Sequence, residues 1–104
     1  FQRWTPATPL FVNHLGVSEP RAGEIVALED IDALLLPLVA FDRQGNRLGM
    51  GAGWYDRTLS APECRATRIG VAWSQQEFPQ LPVDDWDQPL DIVVTQQGWF
   101  TCSP

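Results

Sequence analysis

The chain has 104 residues, with 13 acidic side chains against seven basic ones and a formal net charge of -6. A chain of this length builds one domain around a modest core, so residues 1–104 read as a single domain, and its charge disfavours non-specific attraction to nucleic acid or anionic membranes. No apolar run approaches the roughly 20 residues that span a bilayer and no secretory leader opens the chain, which predicts a soluble, cytoplasmic protein.

The chain opens on Phe1-Gln2-Arg3-Trp4, without an initiator methionine and on aromatics that are normally covered. That start predicts an internal cut point in a longer protein. Through Pro20 the chain mixes Pro6, Pro9 and Gly16 with one short apolar piece, Leu10-Phe11-Val12, which predicts loops around a short strand. From Ile31 to Phe41 the sequence is almost continuously apolar, the pattern of a parallel strand buried on both faces, and Pro37 predicts its end or a bulge because proline has no N–H for the ladder.

Asp42-Arg43-Gln44-Gly45-Asn46-Arg47 then predicts a tight reversal, since Gly45 and Asn46 tolerate positive φ and the Asp42 carboxylate can bond the turn backbone. Arg47 and Leu48 are expected to run back antiparallel. The glycines Gly49, Gly51 and Gly53 follow, and Trp54 to Leu59 predicts a helix that stops before Pro62. Ile69 to Trp73 and Leu90 to Thr95 read as two further strands, separated by an acidic, proline-containing loop. Strands flanking a helix predict an α/β fold.

The segment from Arg47 to Asp56 is the strongest chemical feature. Glycines at alternate positions let backbone approach a ligand closely, and helix N–H groups facing that space favour a phosphate. It is neither a P-loop nor a dinucleotide fingerprint, and its spacing alone serves a flexible turn equally well. Arg47, just ahead of the glycines, carries a fork suited to two phosphate oxygens, or is an ordinary surface arginine. Asp56 caps its helix more naturally than it binds metal, on residue type alone. Asp84, Asp85, Asp87 and Asp91 offer hard oxygens for Mg²⁺, although a solvated acidic loop suits Asp84 and Asp85 better.

Elsewhere the signals are weaker. His14 is the only histidine, and the two cysteines, Cys64 and Cys102, have neither disulfide-framework nor metal spacing and read as plain thiols. Of the five tryptophans, Trp54 alone is placed by its loop to stack on a planar heterocycle. All seven basic residues are arginines, so chemistry that needs a lysine must draw it from another polypeptide segment.

The run Leu36 to Asp42 followed by Gly45-Asn46-Arg47-Leu48-Gly49-Met50-Gly51-Ala52-Gly53-Trp54-Tyr55-Asp56-Arg57 closely resembles the signature of the 5-formyltetrahydrofolate cyclo-ligases. Leu15-Gly16-Val17-Ser18-Glu19-Pro20 resembles an upstream element of that family, and Leu81-Pro82 through Asp87-Gln88-Pro89-Leu90-Asp91 a downstream one, so the likeness runs through nearly the whole chain.

The resemblance implies the C-terminal part of a three-layer α/β/α sandwich with a mainly parallel sheet, the N-terminal part being absent. It also implies a reaction, in which ATP phosphorylates the formyl oxygen of 5-formyltetrahydrofolate, N10 closes the ring and phosphate leaves, giving 5,10-methenyltetrahydrofolate with Mg²⁺ on the nucleotide. Carried over residue by residue, Arg47, Leu48, Gly49, Met50, Gly51, Ala52, Gly53, Trp54 and Tyr55 match the ATP-binding loop. Met50, Gly51, Ala52, Gly53 and Trp54 also match folate-side positions, Asp56 and Asp87 the magnesium carboxylates, and Arg47 the charge-neutralising catalytic residue.

Trp54 replaces the family's first loop tyrosine, which loses a hydroxyl and keeps an aromatic face. The family's N-terminal helix supplies a lysine and an arginine to ATP, so this lysine-free chain is expected to be inactive alone. The alternative is a non-catalytic nucleotide- or phosphate-binding module, and removal of half a sandwich predicts self-association through the uncovered surface.

Overall fold

The computed structural model describes residues 1, 10–12, 18–20, 25–49, 54–84 and 87–103. In chain order these form β1 (Leu10–Val12), β2 (Ser18–Pro20), β3 (Ala33–Leu36), β4 (Ala40–Phe41), β5 (Arg47–Leu48), α1 (Trp54–Leu59), β6 (Thr67–Val71), β7 (Ile92–Thr95) and β8 (Gly98–Thr101), with 3₁₀ turns at Leu28–Asp30 and Ser74–Gln76. His14, the upstream element from Leu15 to Val17, the loop residues Met50, Gly51, Ala52 and Gly53, and Asp85 lie outside the described residues.

The principal sheet has the order β3-β6-β7-β8. β3 and β7 both run parallel to β6, with Leu35 opposite Ile69 and Val71 opposite Val94, while β8 returns antiparallel with Val94 opposite Trp99. β1 with β2 and β4 with β5 form two small antiparallel pairs. The architecture is therefore a mixed, mostly parallel α/β sheet, and α1 is the single α-helix among the described residues.

The core gathers Leu34 and Leu36 of β3, Leu38, Phe41, Leu59 at the end of α1, Ala66, Leu90 and Val93 of β7. Each of the leucine, valine and phenylalanine side chains contributes roughly 1.5–3 kcal/mol when fully covered. Gly70 makes this packing possible, because a Cβ there would meet Leu90 Cδ1 at 2.7 Å and Leu38 Cδ2 at 3.0 Å. Glycine on β6 thus lets two leucines lie flat on the sheet.

Two expectations need correction. Pro37 ends β3 after Leu36 as expected, but the strand is not covered on both faces: β3 alternates, with Leu34 and Leu36 buried but Leu35 67% exposed. Among the described residues, the core cluster lies on the Leu34–Leu36 side only, so its neighbour Leu35 faces the other way. The strand expected to open at Leu90 instead begins at Ile92, because the Leu90 N–H donates to the Gly45 carbonyl at 2.7 Å and Asp91 Oδ2 accepts the Arg68 N–H at 2.8 Å. β8 was not foreseen; its turn is closed by Gly98 at φ 128°, a conformation open to glycine.

The reversal before Arg47 forms as its residues dictate, with Phe41 paired to Arg47 and Ala40 to Leu48. Asp42 is fully buried; its Oδ1 accepts the Gln44 and Asn46 N–H groups and its Oδ2 accepts Asn46 Nδ2 and the Leu81 N–H, all at 3.0 Å. Burial opposes ionisation of Asp42, yet these donors outweigh it and hold the carboxyl below its ordinary range. Gly45, at φ 94°, completes the turn under the Leu90 backbone.

Candidate functional site

The turn fixed by Asp42 delivers Arg47 into β5, and the glycine segment links β5 to α1. Arg47 is not the surface arginine that residue type alone allows: its side chain is only 6% exposed. Nη1 donates to the Pro37 carbonyl at 3.4 Å, Nη2 stands 3.9 Å from Asp56 Oδ1, and the guanidinium carbon lies 5.4 Å from the Tyr55 ring centroid. A Cβ on Gly49 would stand 3.0 Å from Nη1, so glycine clears the space in which the guanidinium rests.

Among the described residues Arg47 Nε is buried and finds no hydrogen-bond partner. A buried guanidinium with a long ion pair and an unused N–H is poorly compensated. An anion with several oxygens, such as a phosphate, supplies what the cation lacks, and the guanidinium fork suits it.

Asp56, in the first turn of α1, turns its Oδ1 toward the Gln88 N–H at 3.2 Å as well as toward Arg47. That bond joins the helix to the acidic loop 32 residues further on, beside Asp87. Asp87 Oδ2 in turn accepts the Asp84 N–H at 2.8 Å, and the Asp87 N–H donates to the Asp84 carbonyl at 3.0 Å. Asp56 and Asp87 therefore sit on adjoining segments. Among the described residues no three His, Cys, Asp or Glu side chains gather as a metal cage.

Of the other residues singled out by sequence, Leu48 lies in β5 and is exposed, Tyr55 is half-buried beside Arg47, and Trp54 opens α1. Asp91 is engaged by the Arg68 backbone and serves the sheet. Cys64 and Cys102 are free, half-buried thiols. Arg68 also donates to the Leu59 carbonyl at 3.2 Å, placing a cation at the C-terminus of α1, where the helix dipole favours it.

Sequence reasoning missed a cleft of about 540 Å³ outside the C-terminal ends of β3, β6 and β7, lined by Pro37, Leu38, Val71, Ala72, Trp73, Gln76, Val94, Thr95 and Gln96. Ligands of open α/β sheets bind at such strand ends. Pro37 is shared: it lines the cleft, and its carbonyl receives Arg47. Gln76 secures this corner, Nε2 donating to the Leu38 and Val39 carbonyls at 3.1 Å while Oε1 accepts the Trp73 N–H at 2.7 Å. No sequence signal marks Gln76, because the carbonyls it holds are 37 and 38 residues away. The aromatic on the cleft wall among the described residues is Trp73, 65% exposed.

Residues 1–96 match the model of the 5-formyltetrahydrofolate cyclo-ligase family. A 5-formyltetrahydrofolate cyclo-ligase of Haemophilus influenzae is 44% identical over 98 residues, covering 90% of this chain and 52% of the relative. The Escherichia coli enzyme of that name is 43% identical over 98 residues, covering 91% and 54%, and the mouse enzyme 33% over 97 residues, covering 89% and 47%. Among solved structures, 5,10-methenyltetrahydrofolate synthetase of Aquifex aeolicus superposes with a TM-score of 0.78 at 43% identity, over 96% of this chain and 50% of that one. The chain spans about half the length of the curated relatives it matches.

Proposed function

The chain belongs to the 5-formyltetrahydrofolate cyclo-ligase family, and on that premise we propose that it carries the phosphate-binding half of an ATP- and Mg²⁺-dependent 5-formyltetrahydrofolate cyclo-ligase. The observation that carries this reading is Arg47: a nearly buried guanidinium beside the glycine segment, with an N–H that no described residue takes. In the reaction the formyl oxygen takes the γ-phosphoryl group of ATP, N10 attacks the activated carbon and loses its proton, and phosphate leaves. ADP, phosphate and 5,10-methenyltetrahydrofolate result.

Phosphoryl transfer needs positioning and charge neutralisation more than it needs a nucleophilic side chain. Arg47 provides neutralisation, Leu48 to Tyr55 serve as the nucleotide loop, and Met50 to Trp54 also serve folate binding. The cleft behind Pro37, apolar and bordered by Trp73, suits a flat heterocycle. Asp56 and Asp87 would hold Mg²⁺, which prefers one or two carboxylates with nucleotide phosphates completing its shell. Bound there, Mg²⁺ supplies charge neutralisation to the nucleotide phosphates.

In the whole protein a second helical layer completes a three-layer sandwich. The chain alone does not turn over, because a lysine contact to ATP has no source among its 104 residues. Isothermal titration of the chain with Mg-ATP tests the phosphate half directly, with binding expected and Arg47→Ala weakening it roughly 10- to 100-fold. A chain that ignores Mg-ATP, or one that forms the methenyl product unaided, would overturn one or the other clause.

A further inference from the structure

Pro37-Leu38-Val39 links β3 to β4, and its three carbonyls accept from the side chains of Arg47 and Gln76. The Pro37 carbonyl takes Arg47 Nη1 at 3.4 Å, and the Leu38 and Val39 carbonyls take Gln76 Nε2 at 3.1 Å each. The Val39 N–H donates to the Leu48 carbonyl at 2.7 Å, so the linker is tied to β5 on one side and to Gln76 on the other.

Gln76 uses its whole amide on this arrangement. With one N–H for each of the two carbonyls, and Oε1 taking the Trp73 N–H at 2.7 Å, no donor is left over for a ligand in the cleft. The flipped amide would set its oxygen against two carbonyl oxygens, so the partners fix its orientation. The 3₁₀ turn that carries Gln76 is itself held: Gln96 Oε1 accepts the Ser74 N–H at 2.9 Å, Gln96 Nε2 donates to Ser74 Oγ at 2.8 Å, and the Phe78 N–H donates to the Phe41 carbonyl at 2.8 Å. Gln76 thus reaches the linker from a fixed base.

From this we infer that Gln76 is a positioning residue for the phosphate site: by holding the Leu38 and Val39 carbonyls it fixes the Pro37 carbonyl, and that carbonyl fixes the Arg47 guanidinium. It acts through Arg47 and not on the nucleotide. The Pro37 carbonyl, at 3.4 Å, is a nearer partner of Arg47 than Asp56 at 3.9 Å, and Arg47 Nε has no partner among the described residues. A shift of the linker therefore moves the fork, and a displacement of about 1 Å in a binding group is enough to lower its effect steeply. The inference rests on the phosphate-binding reading of Arg47 proposed above.

The test uses Gln76→Met, which keeps the bulk and removes the amide, and Gln76→Glu, which keeps the Trp73 acceptor and sets a carboxylate against the two carbonyls. Gln97→Met, at an exposed glutamine outside this network, is the control. Calorimetric titration with Mg-ATP should show affinity lowered roughly tenfold by Gln76→Met and at least as much by Gln76→Glu, the scale of losing an outer partner of a metal ligand, with Gln97→Met unchanged. In the Arg47→Ala background Gln76→Met should add less than twofold, since an effect carried through Arg47 disappears with it, whereas a merely structural role would add its full tenfold. Heteronuclear NMR of the nucleotide-free chain reads the same link without a ligand. Solvent exchange of the Arg47 Nε–H, identified by its loss in Arg47→Ala, should quicken at least tenfold in both Gln76 variants and not in Gln97→Met. The proposal is overturned by exchange at the native rate in both Gln76 variants, or by losses of affinity that add in the double variant. A native chain that ignores Mg-ATP while exchange quickens would sink the phosphate reading and leave the hold of Gln76 on Arg47 standing; native binding with exchange unchanged would sink only this inference.

Discussion

Arg47 Nη2 stands 3.9 Å from Asp56 Oδ1, joining β5 to the first turn of α1 across the glycine segment. The pair is too long to satisfy the buried guanidinium, whose Nε has no partner among the described residues. Such a cation is undercompensated in the free protein.

Arg47→Lys and Arg47→Ala should each weaken Mg-ATP binding by roughly 10- to 100-fold, the loss of a charge-assisted contact of about 1.5–3 kcal/mol. Lysine is not expected to rescue, since a point charge does not reproduce the fork. Titration calorimetry reads both variants, and equal affinity in Arg47→Lys would remove the bidentate role.

Asp42→Ala should destabilise the chain by about 3 kcal/mol, because three backbone N–H groups and Asn46 lose their acceptor in a closed site. For a chain of this length that lowers Tm by roughly 15 °C. Thermal unfolding by circular dichroism checks it.

The same carboxyl sets an acid limit. Its folded pKa lies below the unfolded one, so its contribution is present in full above about pH 4 and is lost as pH falls through the depressed folded value. Denaturant titrations from pH 6 down to pH 2 should show this loss in the native sequence, and Asp42→Asn should flatten it.

Gly45→Ala should cost roughly 3 kcal/mol, since φ is 94° there and a Cβ would fall 2.5 Å from the Leu90 carbonyl oxygen. The Gly98→Ala change meets no atom within 4 Å and suffers only its φ of 128°. Urea midpoints of the two variants should therefore separate, with Gly45→Ala the lower.

Burial raises the Cys102 thiol pKa, and the charges of Asp91 and Asp42 raise it further against a smaller opposing effect of Arg43. Less thiolate is then present at neutral pH. Alkylation of Cys102 by iodoacetamide at pH 8 should run several-fold slower than that of a free thiol, and Asp91→Asn should speed it.

What the sequence determined alone is what neighbours within a few residues decide. Asp42, Gly45 and Asn46 carry their own turn, Pro37 ends β3, Pro62 follows α1, and the glycine segment with Arg47 was enough to indicate the family. The apolar run from Ile31 to Phe41 also announced a strand, but hydrophobicity reports what a side chain tolerates and not which neighbours reach it. Only the tertiary structure decided that Leu34 and Leu36 are covered while Leu35 is open. The burial of Arg47, the Gln88 bond to Asp56, the hold of Gln76 on Leu38 and Val39, and the pairing of β3 with β6 were likewise decided there, since each joins residues 10 to 38 positions apart. Contacts at that separation follow from how the sheet is ordered, and chain order gives no local signal of it.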